Sequence, residues 1–339
     1  MRAVVYSEAG GSDVLRLVER PDPVPGTGEV RVRIHVSGVN PTDWKACRRG
    51  PSWASPSARE VVPNQDGAGL IDAVGEGVPE SRIGERVWVW EATWQRAEGT
   101  AQELVALPSR QAVRLPDHAS FEVGASLGIP ALTAHRCLTV HEGGPRTLAR
   151  GALAGVTVLV AGAAGAVGHA AIQLARWAGA TVVGTVSNEE KASLARAAGA
   201  NHVVDYRSDS AAEEILAHAP AGIDVVVEVA PAVNAALDAA VLAPNGTVAV
   251  FATDGGGELP VSWPLLQRNV AYRFVLVYTV PTEAKDQAVA DVSAAVADGA
   301  LPVGEEAGLP LHRFPLERTG DAHDAVEAGA VGKVLIDVV

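Results

Sequence analysis

The pattern of apolar and polar positions divides the chain into two parts with different periodicity. Up to about residue 125, short β-rich runs alternate with Gly and Pro turns, as in the period-two run at 29–36. From about 126 to 280, apolar strands are separated by segments with helical spacing. The strands are predicted at residues 156–160, 181–186, 202–204, 224–229, 247–251 and 273–277. This alternation predicts an α/β domain with a doubly wound parallel sheet.

The last part of the chain reads as a polar helix near 282–298 and a final strand, Lys333–Val339. Such a C-terminal strand most simply rejoins the sheet of the first part.

A glycine turn follows the first strand of the α/β part, where Gly162–Gly168 leads into a helix. Gly165 and Gly168 fit the second and third glycines of G-x-G-x-x-G, while Ala163 stands in place of the first. This layout binds a dinucleotide pyrophosphate at a helix N-terminus, where Gly165 lets the backbone approach a phosphate and Gly168 lets the helix pack closely on the strand. The alternatives are an ordinary strand-turn-helix and a membrane span, and the five glycines between Arg150 and Arg176 argue against the span.

Composition limits the possible partners. The formal net charge is −13, which disfavours nucleic acid and anionic membranes as partners because both need a basic surface. Residues 1–6 lack the apolar core of a signal peptide, so a cytoplasmic location is expected. Only two cysteines, Cys47 and Cys137, are present, and the nine histidines form no cluster at ligand spacing. We therefore expect no metal site.

The end of the second strand indicates which dinucleotide is bound. No carboxylate stands there to repel a 2′-phosphate, whereas Ser187 can donate a hydrogen bond and Lys191 can supply positive charge. NADPH is therefore the predicted cofactor. Ser187 with Glu190 also fits a capping box, with Lys191 a solvated helix lysine. Tyr206, after the third strand, either flanks the adenosine pocket or packs against the sheet.

Nine segments together carry a family resemblance: Gly38–Pro41, Asp66–Gly69, Ala73–Gly77, Ile83–Val87, Gly128–Ala134, the glycine turn, Asp205–Arg207, Glu228–Asn234 and Gly329–Lys333. Their order and spacing resemble the medium-chain dehydrogenase/reductase superfamily and, within it, the zeta-crystallin-like NADPH:quinone oxidoreductases. The resemblance extends over nearly the whole chain.

The resemblance implies a GroES-like partial β-barrel catalytic domain of residues 1–125 and 283–339, and a Rossmann dinucleotide-binding domain of residues 126–282. It also implies which further residues approach NADPH. Asn40 and Thr133 are expected at the nicotinamide end, and Ser187, Lys191 and Tyr206 at the 2′-phosphate. The residues expected at the pyrophosphate are Ala164, Gly165, Ala166, Val167 and Gly168. The remaining residues expected to line the cofactor cleft are Phe251, Thr253 and Lys333.

Zinc-dependent relatives carry a cysteine in the segment that reads Val39–Asp43 here, and a His-Glu pair in the segment Asn64–Asp66. Both signatures are missing. Without a Lewis acid to stabilise an alkoxide, alcohol oxidation is disfavoured and reduction of an electron-poor acceptor is favoured. The resemblance implies hydride transfer to a small-molecule quinone, with Asn40 as donor to the developing oxyanion and Asp43 as its orienting neighbour.

Three alternatives stay open. Asn40-Pro41 also fits a simple turn. An NADPH-dependent reductase of α,β-unsaturated ketones, aldehydes or enoyl thioesters would share every cofactor residue. Finally, the chain could be a non-enzymatic binding protein.

The apolar strand Tyr272–Tyr278 lies near the predicted edge of the α/β sheet. Exposed edges of this kind are a liability unless they are paired, and relatives pair this one across a two-fold axis. We therefore expect a homodimer.

Overall fold

The computed structural model describes all 339 residues of the chain. The strands are β1 (Arg2–Val5), β2 (Arg16–Glu19), β3 (Glu29–Val39), β4 (Asp66–Val74), β5 (Arg86–Val89), β6 (Leu104–Pro108), β7 (Ala112–Arg114), β8 (Thr157–Ala161), β9 (Thr181–Val186), β10 (His202–Asp205), β11 (Ile223–Glu228), β12 (Leu242–Val250), β13 (Ala271–Phe274), β14 (Leu311–Pro315) and β15 (Lys333–Asp337). The α-helices are α1 (Pro41–Arg49), α2 (Pro51–Ala54), α3 (Phe121–Leu138), α4 (Ala166–Trp177), α5 (Glu189–Ala197), α6 (Ala211–His218), α7 (Pro231–Val241), α8 (Trp263–Gln267), α9 (Thr282–Ala297) and α10 (Thr319–Glu327). None of the helices has the length and apolar character needed to cross a membrane.

Two compact units make up the chain. The first unit contains Met1–Ile129 and Leu311–Val339, and the second contains Pro130–Pro310. The sequence prediction placed these boundaries at residues 125 and 283. The second boundary lies later because α9 packs within the second unit, where its Asp291 carboxylate accepts a hydrogen bond from the Leu148 N–H at 2.7 Å and lies 2.7 Å from His135 Nε2.

The second unit is built on a six-stranded sheet in the order β10-β9-β8-β11-β12-β13, with every neighbouring pair parallel. Counted from β8, this order is 3-2-1-4-5-6, that of the Rossmann fold. Val158, Leu159 and Val160 of β8 are fully buried, as expected for a strand covered on both faces. The predicted doubly wound sheet is confirmed.

The first unit contains a seven-stranded sheet in the order β14-β15-β3-β4-β5-β7, in which β6 also pairs with β3. A separate antiparallel pair is formed by β1 and β2. The alternating apolar residues of β3, among them Val30, Val32 and Ile34, are fully buried, and each contributes about 1.5–3 kcal/mol by leaving water. This alternation explains why one face of β3 packs on the core.

Two strand predictions have different outcomes. The C-terminal strand does rejoin the first sheet, since β15 pairs antiparallel with β3. The strand predicted at Tyr272–Tyr278 was too long, because β13 ends at Phe274 and residues Val277–Thr279 form a 3₁₀ turn in which Tyr278 is buried. The edge position of β13 is confirmed.

Candidate functional site

The glycine turn joins β8 to α4 in a tightly closed loop. Gly162 has a φ of +65°, which favours glycine, and its carbonyl accepts a hydrogen bond from Gly165 N–H at 2.9 Å. A Cβ on Gly168 would lie 2.4 Å from the Gly162 oxygen, so no other residue fits there without a shift. The backbone of Gly165, in contrast, is exposed. The turn thus packs α4 closely on the sheet through Gly168 and leaves Gly162 and Gly165 exposed, of which Gly165 directly precedes the helix.

The first turn of α4 presents free backbone donors beside that glycine. The first helix-type bond runs from His169 N–H to Gly165 O at 2.8 Å, and the amides of Ala166, Val167 and Gly168 have no acceptor within the chain. Together with the helix dipole, these three N–H groups suit an anion. The residues therefore fit a dinucleotide pyrophosphate. Ala164 is buried just before this turn, so all five predicted pyrophosphate residues lie in one continuous segment.

A second polar pair lies at the end of β9. Lys191 Nζ donates to Ser187 Oγ at 3.3 Å, and both side chains are partly exposed. Asn188, not Ser187, caps α5, because Asn188 Oδ1 accepts from Lys191 N–H at 2.9 Å. The capping-box alternative for Ser187 was therefore wrong by one residue. With the cap supplied by Asn188, the Ser187 hydroxyl remains available to a ligand.

Tyr206 follows β10, next to β9 in the sheet. Its backbone N–H donates to Val186 O at 3.1 Å, which ties it to the end of β9, and its side chain is exposed. Its neighbour Arg207 is held by the Asp205 carboxylate at 2.9 Å, and this guanidinium keeps the pKa of Asp205 low, at about 2. Arg207 is thus engaged, and Lys191 is the less constrained cation at this end of the sheet.

Three further residues predicted to approach the cofactor, Phe251, Thr253 and Thr133, lie in the second unit. Phe251 comes directly after β12, where its N–H donates to Glu228 O at 3.0 Å, and Thr253 is exposed in the turn that continues from it. Thr133 is buried within α3.

In the first unit, Asn40 lies at the junction of β3 and α1 and is almost completely hydrogen-bonded. Its backbone N–H donates to Asp43 Oδ2 at 2.7 Å, and its side-chain Nδ2 donates to Asp66 Oδ2 at 2.7 Å. Its Oδ1 accepts from Lys333 Nζ, also at 2.7 Å. The structure thus brings together three predicted residues, Asn40, Asp43 and Lys333. It also adds Asp66.

Asp66 was missed as a site residue, although its segment helped to carry the resemblance. Its carboxylate is fully buried, accepts from Ile129 N–H at 2.9 Å and lies 3.8 Å from Lys333 Nζ. Burial raises the pKa of Asp66 to about 6, while the nearby ammonium opposes the shift. Burial and the Asp66 charge raise the pKa of Asp43, and burial lowers that of Lys333. The signal available in the sequence was a single carboxylate at the start of the otherwise apolar, glycine-rich run Asp66–Ile71.

The Lys333 side chain is turned inward. It is 1% exposed, and Nζ also donates to Val39 O at 3.1 Å. Two of the three Nζ–H donors are thus used within the first unit, and the contact of Lys333 with a cofactor stays a prediction.

The residues do not fit a zinc site. No group of three or more His, Cys, Asp or Glu side chains is arranged to hold a metal ion. Cys47 is buried with Sγ 3.7 Å from Gly11 O, and burial raises the pKa of its thiol to about 11. Asn64 and Gln65 are occupied by hydrogen bonds to Ser37 Oγ and from Thr93 N–H.

Two family models match the chain. A model described as an alcohol dehydrogenase GroES-like domain matches residues 26–117, and one described as a zinc-binding dehydrogenase matches residues 166–294. The first lies in the first unit and the second in the Rossmann unit.

Individual proteins are similar to the chain over its whole length. Human quinone oxidoreductase is 30% identical over 99% of this chain and 97% of its own. A mycobacterial protein solved in complex with NADPH is 30% identical over 99% of both chains, with a TM-score of 0.79. A structure described as an NAD-dependent alcohol dehydrogenase is 28% identical over 100% of both chains, with a TM-score of 0.85.

Proposed function

Because the chain belongs to the quinone oxidoreductase family of the medium-chain dehydrogenase/reductase superfamily, and is an oxidoreductase, we propose that it uses NADPH to reduce a quinone. The observation that carries this proposal is the polar end of β9. There Lys191 and Ser187 contact each other, and no carboxylate ends the strand. Such a pair favours a 2′-phosphate over a free ribose hydroxyl.

The similar structures differ in the nicotinamide cofactor that their descriptions name. One protein was solved with NADPH, and the other is described as NAD-dependent. The residues of this chain support NADPH, since a strand-end Asp or Glu, which would accept from the ribose hydroxyls of NAD, is missing. Ala166, Val167 and Gly168 would hold the pyrophosphate, and Lys191 and Ser187 the 2′-phosphate. The cofactor supplies the hydride.

The residues also favour chemistry without zinc. The two segments that supply zinc ligands in metal-dependent relatives hold Asn40 and Asn64–Asp66 here, and all of these side chains are engaged in hydrogen bonds. The negative charge that develops on the acceptor oxygen must then be stabilised by hydrogen-bond donors. Asn40 Nδ2 carries two N–H groups, of which Asp66 takes one. We assign the second N–H to the acceptor oxygen.

An acceptor panel tests the substrate class. Purified protein with NADPH and excess EDTA is mixed with a series of quinones and, separately, a series of enones and enoyl thioesters, and the loss of nicotinamide absorbance is followed. Turnover with quinones supports the proposal. Turnover with enones alone moves the assignment to the enone reductase, and no turnover with any acceptor, together with no NADPH binding, leaves only a non-enzymatic role.

We also propose that the chain forms a homodimer through the edge strand β13. Apolar side chains on and near this strand are exposed: Phe274 is 75% exposed, Trp263 69% and Leu276 55%. An unpaired edge with this character invites pairing with a second copy, and a two-fold axis satisfies both edges at once.

A further inference from the structure

The Asn40 carboxamide has charged partners at both ends. A carboxamide has a donor end and an acceptor end, and the two are nearly equal in size. Lys333 can only donate, and it contacts Oδ1 at 2.7 Å; an ionised Asp66 can only accept, and it contacts Nδ2 at 2.7 Å. The flipped amide would point its NH₂ at an ammonium group and its oxygen at a carboxylate. The two charges therefore permit a single orientation of the Asn40 amide.

Both charged side chains are fixed by the backbone around them. A Cβ on Gly128 would lie 2.0 Å from Asp66 Oδ1, and a Cβ on Gly38 would lie 3.2 Å from Lys333 Cε. The Ile129 N–H contacts both carboxylate oxygens of Asp66, at 2.9 and 3.0 Å. The Ile129 N–H therefore anchors the Asp66 carboxylate, and the hydrogen bond from Lys333 Nζ to Val39 O at 3.1 Å anchors the ammonium beside Asn40.

The arrangement is a costly way to stabilise a fold. Lys333 is 1% exposed and Asp66 is 0% exposed, and buried ion pairs are often no more stabilising than apolar residues of similar volume. The pair is better explained by what it does to the amide between its members.

We propose that Asp66 and Lys333 are positioning residues that clamp the Asn40 amide, so that its second Nδ2–H is held ready for the carbonyl oxygen of the acceptor. The inference rests on the proposed reduction. A donor held in a fixed orientation matters most when hydride transfer places negative charge on the acceptor oxygen. Neither residue needs to contact the cofactor or the acceptor.

Two substitutions at one position test the clamp. Lys333→Met removes the donor to Asn40 Oδ1, whereas Lys333→Gln keeps a neutral donor on a side chain one bond shorter. At saturating NADPH we expect Lys333→Met to lower kcat by about 10- to 100-fold, by analogy with the loss of residues that orient a reacting group, with a smaller change in acceptor KM. Lys333→Gln should recover part of the loss. NADPH affinity, measured by calorimetry, should stay within about threefold of wild type, because the phosphate-binding residues lie in the other unit.

A matched control comes from the same unit. Thr319 is 1% exposed and donates to Leu316 O at 2.7 Å, but has no hydrogen bond to the cluster, so Thr319→Val removes a buried hydrogen bond without touching the clamp. Wild-type kcat is expected for this variant. Asp66→Asn provides a second variant, in which kcat should fall as in Lys333→Met.

The side-chain NH₂ resonances of Asn40 in ¹⁵N-asparagine-labelled protein report the clamp directly, and we expect them to shift and broaden in Lys333→Met but not in Thr319→Val. The clamp would be overturned by a wild-type kcat in Lys333→Met, by a loss of kcat in Thr319→Val equal to that in Lys333→Met, or by unchanged Asn40 resonances in Lys333→Met. Each of these results would leave the proposed function standing. A wild-type protein that reduces no acceptor would instead remove the proposed function, and the catalytic meaning of the clamp with it.

Discussion

Two alanine substitutions in the glycine turn should separate cofactor binding from stability. A Cβ on Gly168 would meet backbone atoms, at 2.4 Å from Gly162 O and 3.0 Å from Ala163 Cα. A Cβ on Gly165 would meet nothing closer than 3.3 Å, and the φ of −82° there suits alanine. Gly165 is also exposed and directly precedes the free amides of α4.

The expected changes in the free energy of unfolding and in NADPH affinity follow from these Cβ distances. Gly168→Ala incurs overpacking near the upper end of the usual range, about 3 kcal/mol, because the crowded neighbours are backbone atoms. The higher helix propensity of alanine than of glycine offsets about 1 kcal/mol of this cost, so the free energy of unfolding should fall by about 2 kcal/mol. Gly165→Ala replaces a preferred N-cap residue, which lowers the free energy of unfolding by about 1 kcal/mol. Alanine also reduces the conformational entropy of the unfolded chain, which raises the free energy of unfolding by about the same amount, so the two effects nearly cancel. Its methyl group, however, stands where the pyrophosphate must approach, and NADPH affinity should fall at least about tenfold.

Urea unfolding of the cofactor-free variants measures stability, and calorimetric titration with NADPH measures affinity. The predicted signature is an unchanged urea midpoint with weak NADPH binding in Gly165→Ala, and a lowered midpoint in Gly168→Ala. Wild-type NADPH affinity in Gly165→Ala would refute the placement of the pyrophosphate. An unchanged midpoint in Gly168→Ala would refute the packing argument.

Three further predictions concern selectivity, acid stability and assembly. Combining Ser187→Asp with Lys191→Ala should weaken NADPH binding by about 2–4 kcal/mol and spare NADH, and an unchanged ratio of the two dissociation constants would show that the 2′-phosphate lies elsewhere. Burial lowers the pKa of His323 to about 4, so below pH 6.5 the unfolded chain takes up a proton that the native state excludes. The free energy of unfolding of the wild-type protein should therefore fall between pH 7 and 5 by about 2 kcal/mol more than that of His323→Gln. Urea midpoints that fall in parallel for both proteins would contradict this. Phe274→Glu should convert the dimer to a monomer in sedimentation velocity, and a wild-type protein that is itself monomeric at micromolar concentration would exclude the β13 interface.

Local patterns were enough to predict the Rossmann unit. Val158, Leu159 and Val160 read as a buried parallel strand, and the glycine turn after them predicted the helix that follows. The C-terminal return of β15 to the first sheet was also predictable, because a terminal β-branched run after an α/β domain has few other partners.

Long-range side-chain contacts were not predictable in the same way. Asn40 and Lys333 are 293 residues apart, and only the pairing of β3 with β15 brings them together. Helix α9 packs in the second unit through apolar residues such as Val292 and Ala295 and through the buried Asp291 carboxylate, whose hydrogen-bond partners no periodicity reveals. The extent of β13 was overestimated because an apolar run continues into a 3₁₀ turn that also buries a side chain.

We propose that the protein catalyses a metal-independent reduction and prefers NADPH. This proposal is tested most directly by kcat/KM for NADPH and for NADH, measured with one quinone acceptor in excess EDTA. We predict turnover that EDTA does not reduce, with kcat/KM for NADPH at least about tenfold above that for NADH, because Lys191 and Ser187 can bind the 2′-phosphate. A preference for NADH would exclude 2′-phosphate binding by Lys191 and Ser187, and turnover only after zinc is added would exclude the metal-independent reaction.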